Sequence, residues 1–205
     1  MANTTFSGPV RSQGGFFSIS KNASTGAVTT LSSISSTGVS SFDANKLATE
    51  AGTGITAGTG TVYQSSVQRV GGIIVTEIFI DLTGLRSFAN GKAIGVNGST
   101  NPAHFGQIVT TQNGTMIAGS MECLEAPAGG NSNIDVFRSV SGVEQPNANH
   151  GSIVLDGGAF SLGTKQIFTS MVPPDNFIYL SNGAGSDNAD YTAGKFLITL
   201  IGYQA

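Results

Sequence analysis

The chain has no tryptophan, one cysteine and two histidines in 205 residues, and only 10% of it is charged. Each scarcity removes a class of chemistry. A lone Cys123 permits no intrachain disulfide and no Cys-based zinc site, so it is expected as a small buried apolar residue. His104 and His150 lie in the loop-like contexts NPAHFG and NANHGS, with neither an HxH nor an HExxH spacing. They are expected at surface or turn positions, not as metal ligands. Nine Lys and Arg against twelve Asp and Glu leave a net charge of −3, without the basic footprint that neutralises nucleic-acid phosphates. Direct DNA or RNA binding is not expected.

Other familiar signatures are missing too. There is no G-x-S-x-G elbow. Glu122 and Glu125 differ by an odd number, so on a regular strand they point to opposite faces and cannot pair as catalytic carboxylates without a bulge. Ser186-Asp187-Asn188-Ala189-Asp190 offers oxygens but not the twelve-residue calcium-loop pattern, and is expected as a solvated loop. The apolar run Phe196–Ile201 is far too short to cross a membrane. The opening MANTTFSGPV has neither the cationic nor the apolar region of a secretory leader. These readings predict a non-enzyme with no cofactor and no metal, folding in a cytoplasm without a membrane partner.

What is present divides the chain in two. Residues 1–60 are mostly Gly, Ser, Thr, Ala and Asn, a composition that cannot bury enough apolar surface to order itself. Two β-prone pieces, Phe16–Ser20 and Ala27–Ile34, flank a turn-like Asn22–Gly26, and Phe42–Ala51 has the only helical character. Glycines 52, 54, 58 and 60 predict a flexible joint; the lysine of a phosphate-binding loop is absent. The segment is therefore expected to be an extended arm and linker that needs a neighbouring surface. Phe6, Arg11, Phe16 and Phe17 are its candidate partner-binding residues, the rings serving as anchors for a groove on a neighbour.

From Thr61 the pattern changes to period two, predicting a β domain over 61–205. Val62–Val70 and Ile73–Leu82 alternate on either side of Gly71–Gly72, with Ile74, Thr76, Ile78 and Ile80 on one face. Further strands are expected at Ala93–Val96, Gly106–Thr111, Thr115–Leu124, Asn133–Val140, Ser152–Leu155, Gln166–Met171, Phe177–Leu180 and Gly194–Tyr203. Asn-Gly pairs at 90–91, 97–98, 113–114 and 182–183 mark turns, and Gln112–Gly114 is the best hairpin candidate. Short strands at this spacing, without a strong helix, predict an all-β antiparallel sandwich, jelly-roll-like. A surface this poor in charge suits an array better than a dispersed monomer.

The opening MANTTFSGPVRSQGGF, the following ISKNASTGAVTT and the closing YTAGKFLITLIGY resemble the ends of virion structural proteins of tailed bacteriophages that infect marine bacteria. The resemblance implies a capsid-associated role. The size of the chain points to a decoration (cement) protein that binds the major capsid protein on the exterior of the head. Such a protein would self-associate as a homotrimer and assemble in the host cytoplasm. The second reading is a tail-fibre or receptor-binding protein that recognises host surface glycans.

Overall fold

The computed structural model describes residues 16–22, 25–26, 28–34, 40–42, 50–185 and 188–204. It divides into two compact units, Met1–Leu47 and Ala48–Ala205.

In the first unit, β1 (Phe16–Lys21), β2 (Val28–Ile34) and β3 (Ser40–Phe42) form an antiparallel sheet in that order. The turn expected at Asn22–Gly26 is closed by Asn22 itself. Its Oδ1 accepts the Thr25 N–H at 3.0 Å and its carbonyl accepts the Gly26 N–H at 2.9 Å. Gly26, at φ +73°, supplies the left-handed residue that the reversal requires. Phe42 ends β3; most of the helix expected over Phe42–Ala51 lies outside the described residues, and Glu50 and Ala51 are not helical.

The second unit is the expected all-β sandwich, two antiparallel sheets around one apolar core. Its larger sheet contains β4 (Val62–Val70), β5 (Ile73–Asp81), β7 (Thr115–Ala128), β10 (Lys165–Ile167) and β12 (Ala193–Tyr203), ordered β10-β7-β12-β5-β4. The smaller contains β6 (His104–Gln107), β8 (Ile134–Ser139), β9 (Ser152–Leu155) and β11 (Phe177–Asn182), ordered β6-β11-β8-β9. Alternation decides which face each strand buries. On β5, Ile74, Thr76, Ile78 and Ile80 are buried while Val75, Glu77 and Phe79 are half-exposed. On β12, Phe196, Ile198 and Leu200 point inward to meet Met121, Cys123, Ile134, Val136 and Phe160 in the core. Gly71–Gly72 makes the predicted β4–β5 hairpin.

Two expectations are corrected. Gln112–Gly114 is not a hairpin. Thr110–Asn113 forms a single helical turn, α2, which carries the chain from β6 in one sheet to β7 in the other. Asn113 is buried there: its Oδ1 accepts the Val109 N–H at 2.8 Å and its Nδ2 donates to Thr76 Oγ1 at 2.9 Å. A side chain that local bonding pulls inward leaves Gly114 alone, at φ +70°, to make the turn. Ala93–Val96 likewise makes only isolated bridges, such as Ala93 with Ser181.

The second correction concerns the joint at Gly52–Gly60, which is built into the domain. Thr53–Thr56 is a one-turn helix, α1, and Ile55 within it is wholly buried in the core. The Gly52 N–H donates to the His104 carbonyl at 2.8 Å, and that of Gly54 to the Pro102 carbonyl at 2.7 Å. A β-carbon at Gly52 would stand 2.2 Å from Pro102 O, so glycine here serves close backbone approach, not flexibility. The boundary falls at Leu47/Ala48 and not at residue 60.

A chain starting at Ala48 should therefore melt as cooperatively as the full protein, whereas one starting at Gly60 loses Ile55 and both strap hydrogen bonds. Ile55→Ala in the full chain should cost about 2–5 kcal/mol in denaturant unfolding; a cost below 1 kcal/mol would return this segment to the linker.

Candidate interaction surfaces

Of the four candidate partner-binding residues, Phe6 and Arg11 lie outside the described residues. Phe16 and Phe17 are on β1, in register with Ile34 and Ser33. They belong to a paired strand, not to a lone extended segment.

The outer face of the five-stranded sheet carries exposed apolar side chains, a surface which sequence reasoning did not single out. The registers set it out in rows. Asp81, Lys195 and Glu125 form the first; Phe79, Leu197, Glu122 and Lys165 the second. Glu77, Thr199, Ser120 and Ile167 follow, then Val75, Ile201 and Ala118, and last Ile73, Tyr203 and Thr115. Charge is concentrated at one end and gives way to apolar side chains at the other. Ile167 is 69% exposed, Ile117 54% and Tyr203 49%. The sequence signal for this face was the apolar character of both sides of Ile73–Leu82 and Thr115–Leu124.

Glu122 and Glu125 share this face, contrary to their odd spacing. Phe196 pairs with Cys123 and Lys195 with Glu125, so Leu124 is an extra residue and the strand bulges there. The two carboxylates take different lysines. Glu125 bonds Lys195, which also lies 3.7 Å from Asp81, and Glu122 stands 3.4 Å from Lys165. The hydrogen bond that Lys195 donates to Glu125, helped by Asp81, pushes its ammonium above the ordinary range. This is a compensated charge row and not an acid–base pair. Cys123, just before the bulge, is buried as expected, and burial raises its thiol, so it makes a poor nucleophile.

The outer face of the four-stranded sheet differs, because loops cover it. Tyr179 and Phe137, cross-strand partners, stack with centroids 4.9 Å apart and planes at 12°. His104 flanks the stack, 4.9 Å from Phe177 and 6.0 Å from Tyr179, and His150 lies 6.3 Å from Phe137 at the far side. Tyr179 Oη donates to the Ser141 carbonyl at 2.7 Å, fastening the 140–151 loop over the rings. His104 is thus on a strand, half-buried, and not in a surface turn; burial lowers its pKa below the ordinary 6.5, and its buried Nδ1 has no partner. His150 is exposed, as expected.

Among the described residues no three His, Cys, Asp or Glu side chains come together to hold a metal ion, and no helix is long and apolar enough to cross a membrane. Comparison with protein-family models, with curated proteins and with solved structures finds no match.

A lowered histidine pKa has a fixed sign in stability. The unfolded chain binds the proton first, so the contribution is complete above 6.5 and is lost as pH falls toward the lower folded value. His104→Phe keeps a ring against Phe177 and Tyr179 without the titration. The stability difference between variant and parent should widen in the variant's favour as pH drops below 6.5. A difference independent of pH in parallel denaturant titrations would mean that His104 protonates freely in the fold.

Proposed function

We propose that this chain is a virion structural protein that decorates the head shell of a tailed bacteriophage. Its partner is the major capsid protein, its self-association that of a homotrimer, and its place the capsid exterior. The observation that carries the reading is the outer face of the five-stranded sheet. That face is broad and graded from a row of paired charges to exposed Ile117, Ile167, Ile73 and Tyr203. Exposed apolar area rimmed by polar groups marks protein interaction surfaces. A cement protein works through many such contacts repeated over a shell, and a chain with 10% charge is suited to that environment. The resemblance of the two chain ends to phage virion proteins agrees with it. Neighbouring strands in the two sheets come from distant parts of the sequence, as β12 between β5 and β7 does; such long connections favour the jelly-roll form of the sandwich.

On this reading both units bind. Phe16→Ala with Phe17→Ala, in the first unit, and separately Ile117→Asp with Ile167→Asp, at exposed positions of the second, should each leave the melting of the second unit within about 0.5 kcal/mol of the parent. Each pair should weaken attachment to purified particles by about 2 kcal/mol or more per copy, as loss of a buried anchor does. Full attachment by both double variants would remove both surfaces from the interface. Gold labelling confined to the tail would instead assign the chain to a fibre or receptor-binding tip.

A further inference from the structure

Four buried side-chain atoms among the described residues have no hydrogen-bond partner: His104 Nδ1, Asn133 Oδ1, Ser181 Oγ and Asn182 Oδ1. Two of the oxygens share one face of the β8–β11 pair with a buried carboxylate. Ser181 stands directly opposite Asp135 in the antiparallel register, so their β-carbons face the same side about 5 Å apart. Asn133 precedes Asp135 by two residues and lies on that side too. Gly183 fills the fourth corner, where a β-carbon would come 2.0 Å from Asn133 Oδ1 and 3.0 Å from Asp135 Oδ1. Glycine at that corner lets both oxygens lean toward one point.

Asp135 is the telling member. It is 6% exposed, and its Oδ1 accepts one hydrogen bond, from the Gly157 N–H at 3.0 Å. Among the described residues no Lys or Arg forms an ion pair with it; its charged or titratable neighbours are Asp156 and His150. Asp81, nearly as buried, has Lys195. A buried carboxylate is normally paired or bound to a cation, and the unpartnered hydroxyl of Ser181, wholly buried, faces it.

We propose that Asn133 Oδ1, the Asp135 carboxylate and Ser181 Oγ form a binding site for a calcium-class divalent cation. Every donor is a hard oxygen, which suits calcium; two strands and Gly183 hold them, and water or backbone carbonyls would complete the shell. Magnesium fits less well, since it demands near-ideal octahedral geometry and gives up its water reluctantly. With a single carboxylate the affinity belongs to the weak class, a Kd of about 10⁻⁴–10⁻³ M. The bound charge would offset the cost of burying Asp135, so the ion would act on stability. Of the Ser186–Asp190 loop, Ser186 and Asp187 lie outside the described residues, and Asp190 pairs with Arg86 at 2.8 Å.

The test is thermal melting of the full chain, stripped with EDTA and then titrated with calcium chloride, with magnesium chloride as the control. Calcium should raise Tm by about 3–6 °C at ten times Kd and go on raising it with the logarithm of concentration, and magnesium should do far less. Asp135→Asn should abolish the rise while melting in EDTA at or above the parent, because a neutral amide is not penalised by burial. Ser181→Ala leaves the charge in place and should lose most of the rise without lowering Tm in EDTA; it decides the matter if Asp135→Asn does not fold. No rise in the parent beyond that with magnesium would overturn the site and leave a bridging water, or a protonated Asp135, in its place. An undiminished rise in either folded variant would overturn it as well.

Discussion

The second unit depends on the register of β12. This strand pairs with β5 from Lys195–Asp81 to Tyr203–Ile73 without a slip, and with β7 on its other side through three register shifts. The unslipped side keeps Phe196, Ile198 and Leu200 in the core beside Ile80, Ile78 and Thr76. A shift of one residue would send that whole set outward. The same strand fixes the corner between the sheets: a β-carbon at Gly202 would stand 1.8 Å from Asn113 O, so α2 lies directly against it. Asn113 then joins the corner to Thr76 on β5. One register thus sets the core, the sheet-to-sheet crossing and the rows of the outer face.

The bulges on the β7 side have the opposite role. With β5 holding β12 in place, β7 can carry an extra residue at Leu124 without disturbing the core, since Met121 and Cys123 remain buried. The extra residue returns Glu125 to the outer face, where Lys195 reaches both it and Asp81. Without it the face would lose one carboxylate, and Lys195 would keep only the longer contact to Asp81. Local irregularity is what lets one ammonium bridge two carboxylates, from three strands, on this face.

Much of the fold was legible because its signal is local. Period-two alternation in Val62–Val70 and Ile73–Leu82 marked both strands, and Gly71–Gly72 marked their turn. What escaped detection depends on partners far along the chain. Asn113-Gly114 carries the strongest hairpin signal, yet Thr76, thirty-seven residues away, captures the asparagine. Glycines 52 and 54 have the composition of a joint, and only the Pro102 and His104 carbonyls reveal that they are a strap. The bulge at Leu124 has no sequence mark, and the face it completes was missed with it. Phe16 and Phe17 could be named from their ring chemistry, but their pairing with Ser33 and Ile34 comes from β2.

The two sheets handle their outward faces in opposite ways. The five-stranded sheet leaves apolar residues uncovered, while the four-stranded sheet covers His104 and Asp135. Burial moves those two groups in opposite directions, lowering the histidine and raising the carboxyl. Their linkage to stability has opposite signs. The His104 contribution is lost as pH falls below 6.5, whereas the penalty on Asp135 is relieved as pH falls through its raised folded value toward the ordinary 3.8. Each response runs between the group's ordinary value and its shifted one, so acidification acts on the covered sheet with two opposite signs. The five-stranded sheet instead meets solvent with exposed apolar side chains and a charge row bridged by Lys195.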